Sequence, residues 1–150
     1  MKDITPKIIP LLKEGYCTPQ LARLAKKLVQ PVTTIHYNIK KLEREGVIKT
    51  YKTVFDYKKI DEGYCVYILA NVTADKYGEP EEIAKRIAKE SCVESIDIVT
   101  GDYELMMKLR CKDIDDYYLF VKRMIKQYGF SKVISMTSLK QVKTEFVMSE

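Results

Sequence analysis

The sequence is short of metal ligands. It has one histidine, His36, and four cysteines at positions 17, 65, 92 and 111, with no two in CxxC spacing. A structural zinc site or a thioredoxin-like motif needs closely grouped ligands or thiols, so neither is expected. No metal and no cofactor are expected, and the thiols are expected to be reduced, as in a cytoplasmic protein. No Ser/Cys and carboxylate pair around His36 forms a nucleophile–base pattern, so catalysis is not expected there. Long hydrophobic runs are missing too: the apolar stretches are short and broken by charge, and no membrane span is expected. The first residues, MKDITPKIIPLLKEG, lack the apolar core and small-residue cleavage site of a secretory signal.

The 150 residues are 46% hydrophobic and 31% charged, a balance suited to one ordinary folded domain or two small ones. The net charge of +5 is unevenly placed: residues 1–60 hold 13 Lys+Arg and 5 Asp+Glu, a balance of +8, and residues 61–150 hold 13 and 16, a balance of −3. A basic first half joined to a mildly acidic second half suggests that only the first meets a polyanion.

The most informative stretch is PVTTIHYNIKKLEREG, residues 31–46. Pro31 suits a first helical turn, and Gly46 suits a helix end. At helical spacing Ile35, Ile39 and Leu42 share one stripe. Thr33, Tyr37, Lys40 and Arg44 gather on the opposite side, flanked by His36 and Lys41. An apolar back with a front of hydroxyls, a phenol and bases suits the DNA major groove. The plainer alternative is a surface helix whose charged face is only solvated.

The neighbours favour the first reading. A helix over Ile4–Glu14 is expected, capped by Thr5, with Pro10 awkward inside it. A second, TPQLARLAKKL, opens at Thr18 with Leu21, Leu24, Ala25 and Leu28 as its apolar stripe. Two short helices, the link Val29-Gln30 and a basic amphipathic helix make a tri-helical helix-turn-helix without the usual turn glycine. The β-prone runs Val47–Tyr51 and Lys52–Phe55 are expected to pair as a wing carrying Lys49 and Lys52 to phosphate. The polar stretch at 56–63 marks the junction. The expected division is a DNA-binding domain at 1–57, a linker at 58–63 and a second domain at 64–150.

The second half alternates strand and helix. Strands are expected at Tyr64–Thr73, Val93–Thr100 and Leu105–Cys111. A helix from Gly78 to Ser91 turns Ile83, Ala84, Ile87 and Ala88 inward. Another runs from the cap Asp113 to Tyr128, with a stripe of Ile114, Tyr117, Tyr118, Val121, Met124, Ile125 and Tyr128. Residues 130–146 are mostly extended, with a tail strand at Val142–Met148. The order β-α-β-β-α-β is the ferredoxin-like unit, so the fold class is α+β. Its sheet has one face without helices, and a second subunit is the simplest cover.

TIHYNIKKLEREGVI, residues 34–48, is similar to the recognition-helix signature T-[VI]-x-x-R-I-x-x-L-E-x-x-G-V-I of the Lrp/AsnC regulators. Gly101-Asp102-Tyr103-Glu104 matches that family's effector-loop pattern G-x-[YF]-D except at its last residue. Asn38 stands where the family has Arg, and Glu104 where it has Asp. The resemblance spans nearly the whole chain. It implies a transcription regulator that binds double-stranded DNA, with Thr33, Thr34, His36, Tyr37, Lys40, Lys41, Arg44, Lys49 and Lys52 as contact candidates. It further implies a homodimer assembling to a higher homo-oligomer such as an octamer. A small amino-acid-like effector is expected at Gly101, Asp102, Tyr103 and Glu104, with hydroxyls from Ser135 and Thr137. A sirohaem-decarboxylase-like enzyme on the same architecture is disfavoured, because the second half has no histidine and only Arg86, Arg110 and Arg123.

Overall fold

The computed structural model describes residues 4–73, 80–145 and 147–148. The chain divides into two units, Met1–Val54 and Phe55–Glu150. This boundary precedes the expected one. A 3-10 turn at Tyr57–Ile60 runs into the expected linker, with the Asp56 carboxylate accepting from the Lys58 N–H at 3.2 Å. The Tyr57 ring lies under the Arg110 guanidinium, 3.8 Å from its carbon, which anchors the turn to the second unit.

The first unit holds α1 (Thr5–Lys13), α2 (Leu21–Leu28) and α3 (Val32–Arg44). Ile4, not Thr5, is the N-cap of α1, and Pro10 is accommodated within the helix. Thr18 does not open α2, which begins after Gln20. Leu21, Leu24 and Ala25 turn inward as expected, but Leu28 is exposed at the helix end. The missing turn glycine is replaced by Val29, held at φ 52°, with the next amide, of Gln30, returning to the Ala25 carbonyl at 3.0 Å. A β-branched residue is costly in this left-handed conformation. Val29→Gly is therefore expected to stabilise the first unit by about 0.5–1 kcal/mol, the relief exceeding glycine's own entropic cost. Denaturant unfolding checks it, and a loss of stability would contradict it.

The end of α3 follows the sequence closely. Gly46 takes φ 71°, its N–H reaches the Glu43 carbonyl at 3.1 Å, and the Val47 N–H reaches Leu42 at 3.0 Å. These are the two bonds of a Schellman close. They also explain why the expected wing is absent. Residues 47–56 form no ladder. The first two amides of the run, Val47 and Ile48, are spent on the Leu42 carbonyl, and the Tyr51 hydroxyl donates to Glu43 Oε1 at 2.8 Å. Lys49 and Lys52 thus sit on an irregular arm. The arm packs close to the end of α1: a Cβ on Gly15 (φ 98°) would lie 2.4 Å from Thr50 Oγ1.

The second unit comprises β1 (Tyr64–Val72), α4 (Pro80–Ile87), β2 (Val93–Ile98), β3 (Leu105–Cys111), α5 (Ile114–Tyr128) and β4 (Phe130–Thr137). The strands form one antiparallel sheet in the order β2-β3-β1-β4, the ferredoxin-like arrangement. Val66, Ile68, Ala70 and Val72 of β1 and Leu105, Met107, Leu109 and Cys111 of β3 face the helices and form the core with Ile87, Phe120 and Met124. Each large apolar side chain fully buried there contributes about 1.5–3 kcal/mol. The expected start of α4 at Gly78 lies outside the described residues, and its last expected inward residue, Ala88, lies beyond the helix and exposed.

Helix α5 has the ends its sequence requires. Asp113 Oδ1 accepts from the Asp116 N–H at 2.9 Å, and Gly129 closes it at φ 67°. Its inward face is rotated from the expected one: Phe120 is buried, whereas Ile114, Tyr118 and Ile125 are exposed. After β4 the chain leaves the sheet and folds into a two-stranded pair, β5 (Lys143–Thr144) with β6 (Val147–Met148), rather than continuing extended. The sheet face away from the helices carries Tyr67, Leu69, Met106, Ile134 and Met136; the last three are exposed. No helix among the described residues is long and apolar enough to cross a membrane.

Candidate DNA interface and ligand loop

Helix α3 turns Ile35 into the first unit and leaves Thr33, Thr34, His36, Tyr37, Lys40, Lys41 and Arg44 exposed. The sequence reading of its two faces holds, although Leu42 sits at the rim of the apolar stripe rather than inside it. Lys40 Nζ is 2.7 Å from Glu43 Oε2. Hydrogen bonds from Lys40 and then Tyr51 hold the Glu43 carboxyl below the usual carboxylate range. Burial, followed by the bond to Glu43, pushes the Tyr51 phenol up. Tyr51 therefore ties the arm to the helix and fixes Glu43 beneath Lys40, a link invisible to helical periodicity. Lys41 and Glu45, 3.9 Å apart and exposed, form a pair of little energetic weight. Arg44 has no acidic partner among the described residues. Asn38 Nδ2 donates to the Thr34 carbonyl at 2.8 Å, so this residue turns back onto its own helix.

In the second unit Gly101, at φ 112°, turns the chain between β2 and β3. The loop is clamped to the end of β1. Asn71 Nδ2 donates to the Asp102 carbonyl at 2.8 Å, and Asn71 Oδ1 accepts from the Glu104 N–H at 2.9 Å. The Val72 N–H donates to Glu104 Oε2 at 2.9 Å. Pairing of β1 with β4 shifts register between Asn71 and Val72, and the longer glutamate side chain reaches the amide at that irregularity. Glu104 is thus committed to the backbone, while Asp102 is exposed. Tyr103 packs its ring 4.6 Å from Lys132 Nζ. Asn71, absent from the sequence reading, is the residue that shapes the loop; a lone polar residue in an apolar strand was its only signal.

Ser135 and Thr137 do not join this loop within one chain. They stand opposite Ile68 and Val66 on the helix-side face. Their hydroxyls bond to Tyr117 and Tyr64 respectively. Ser135 lies four residues back along β1 from Val72, about 13 Å at ~3.3 Å per residue.

A second polar cluster lies on the sheet face away from the helices. Arg110, 5% exposed, donates through Nε to Glu94 Oε2 at 2.6 Å and through Nη1 to Gln141. Lys108 Nζ donates to Glu94 Oε1 at 2.9 Å. Among the described residues no group of three or more His, Cys, Asp and Glu is placed to hold a metal ion.

A helix-turn-helix with a basic exposed helix, followed by a ferredoxin-like unit with a clamped inter-strand loop, defines a two-part DNA-binding regulator. Residues 65–148 match the Lrp/AsnC ligand binding domain. An uncharacterized HTH-type transcriptional regulator of Pyrococcus furiosus is 31% identical over 95% of this chain and 96% of its own. The HTH-type transcriptional regulator FL11 of Pyrococcus horikoshii is 31% identical over 81% of this chain and 78% of that one. An AsnC family transcriptional regulator from Agrobacterium tumefaciens superposes with a TM-score of 0.75 at 25% identity, over 100% of this chain and 95% of that one. The feast or famine regulatory protein of M. tuberculosis, solved in complex with L-methionine, shares the fold with a TM-score of 0.73 at 16% identity, over 84% of each chain. The chain belongs to the Lrp/AsnC family of transcriptional regulators.

Proposed function

We propose that the protein is a non-enzymatic regulator that docks α3 in the major groove of double-stranded DNA and whose occupancy responds to a small amino-acid-like effector. The observation that carries the DNA reading is the exposed row Thr33, Tyr37, Lys40 and Arg44 on a helix whose opposite side is anchored by Ile35. His36, Thr34 and Lys41 flank it, and Lys49 and Lys52 add charge from the arm. Tyr37 and Thr33 meet base edges; the lysines and Arg44 meet phosphate, which positions without specifying. Tyr37→Ala is therefore expected to change sequence preference, at about 1–3 kcal/mol for a lost base contact, while Lys41→Ala weakens all DNA alike. Competition binding with cognate and random duplexes measures both. Equal fractional losses in the two variants would contradict this facing of the helix.

The exposed Met106, Ile134 and Met136 on the sheet face support a homodimer, since a second copy covers an apolar surface of this kind without a foreign partner. Higher assembly to an octamer accords with the family. The effector reading rests on the Gly101–Glu104 loop: its backbone is held by Asn71, and the Asp102 carboxylate is exposed to accept from an ammonium group. The methionine complex of the M. tuberculosis relative supports an amino acid as the first ligand to test. Calorimetry across the common amino acids should find at least one ligand. Asp102→Ala should lose most of that binding by removing the acceptor, and Asn71→Ala should weaken it by releasing the loop. A ligand bound equally by the parent and Asp102→Ala would show that the loop is only a turn.

A further inference from the structure

Two of the four thiols are neighbours. Cys111 ends β3, is 1% exposed and belongs to the core. Cys92 lies in the turn between α4 and β2, is partly exposed, and packs against that same core. The backbone fixes their approach: the Arg110 N–H donates to the Cys92 carbonyl at 2.8 Å, and Val93 pairs with Leu109. Cys92 lies in the turn just outside the ladder, so strand alternation does not turn its side chain to the face opposite Cys111, and it packs against the core to which Cys111 belongs. We propose that Cys92 and Cys111 form a dithiol site that a peroxide oxidises to an intramolecular disulfide, joining the turn after α4 to the end of β3.

The two sulfurs are unequal. The interaction between the two thiols lowers Cys92 against the opposing effect of burial, and the same interaction, with burial, raises Cys111. Glu90 and Asp116 act against ionisation of Cys92, and Asp116 and Asp113 against that of Cys111. Cys92 is therefore the attacking thiolate and Cys111 the resolving thiol. The Cys92 thiolate attacks one peroxide oxygen, giving a sulfenic acid and releasing hydroxide. Cys111 sulfur then displaces the sulfenic hydroxyl, and the Cys111 proton leaves with it as water. Two thiols and one hydrogen peroxide become one disulfide and two waters, with the two electrons passing from sulfur to peroxide.

Cys65, whose thiol burial pushes up, lies on the opposite sheet face, and Cys17 belongs to the first unit. Both serve as internal controls. The full-length protein is treated with hydrogen peroxide, denatured in N-ethylmaleimide, digested and mapped by mass spectrometry. The expected result is one linked species containing Cys92 and Cys111, with Cys17 and Cys65 alkylated; dithiothreitol returns all four thiols. In Cys111→Ser, Cys92 should stop at a sulfenic acid trapped by dimedone. Recovery of Cys111 as an alkylated thiol in treated parent protein, or of Cys92 as sulfinic acid, as unreacted thiol, or linked to another chain, would overturn the proposal. The parent map alone decides this even where a variant does not fold.

Discussion

DNA affinity is expected to fall on the order of 10³–10⁵-fold between about 50 and 200 mM salt, the response of a protein making about 6–10 phosphate contacts. Each copy offers Lys40, Lys41, Arg44, Lys49 and Lys52 on α3 and its arm, so a dimer carries enough cations for that number. Lys40 begins paired with Glu43, and Lys41 with Glu45. Both pairs are solvent-exposed, so exchanging carboxylate for phosphate costs little. Arg44 needs no exchange. Fluorescence anisotropy of a labelled duplex across a salt series should give a log–log slope of about −5 to −9. A slope near zero would mean that the basic balance of the first half serves something other than DNA.

The largest expected stability effect is in the second unit. Glu94→Ala removes the only carboxylate shown bonded to both Arg110 and Lys108. Arg110 is 5% exposed and its Nη2 already has no hydrogen-bond partner among the described residues. A buried cation stripped of its counter-ion costs about 3–5 kcal/mol, and urea unfolding of the variant against the parent measures it. The same pair makes stability acid-sensitive. Burial alone would raise the Glu94 carboxyl, but the hydrogen bonds from Lys108 and Arg110 outweigh it and hold the folded-state group below its ordinary value. A group lowered on folding contributes stability above its unfolded pKa, about 4.3 for glutamate, and loses it as pH falls from there through the folded value. Parent protein should lose stability over that acid range, and Glu94→Ala should show a correspondingly smaller loss.

What could be read in the sequence followed from local chemistry. Gly46 ends α3 because it enters the left-handed region, and Asp113 caps α5 because its side chain reaches a free amide. The chain order β-α-β-β-α-β followed from the alternation of elements. In several misreadings a pattern of spacing was overruled by a particular partner. Residues 47–55 favour a β conformation, yet their first amides close α3 and Tyr51 reaches Glu43. Helix α5 is apolar on two sides, so spacing alone did not favour Phe120 over Tyr118; packing against the sheet decided it. At the Gly101–Glu104 turn the clamp from Asn71 depends on strand register, which the local pattern does not give. Ser135 and Thr137 looked available only because their partners, Tyr117 and Tyr64, lie 18 and 73 residues away.

The central claim is that paired copies of α3 read DNA. Selection of genomic fragments by the purified protein, followed by sequencing of the bound pool, tests it most directly. The account predicts enrichment of pseudo-palindromic sites whose half-sites lie about one helical turn, ~34 Å, or a multiple of it apart. That enrichment should collapse to background when Lys40, Lys41 and Arg44 are all replaced by alanine. A bound pool no different from random fragments, or one whose half-site spacing shows no helical phase, would contradict it.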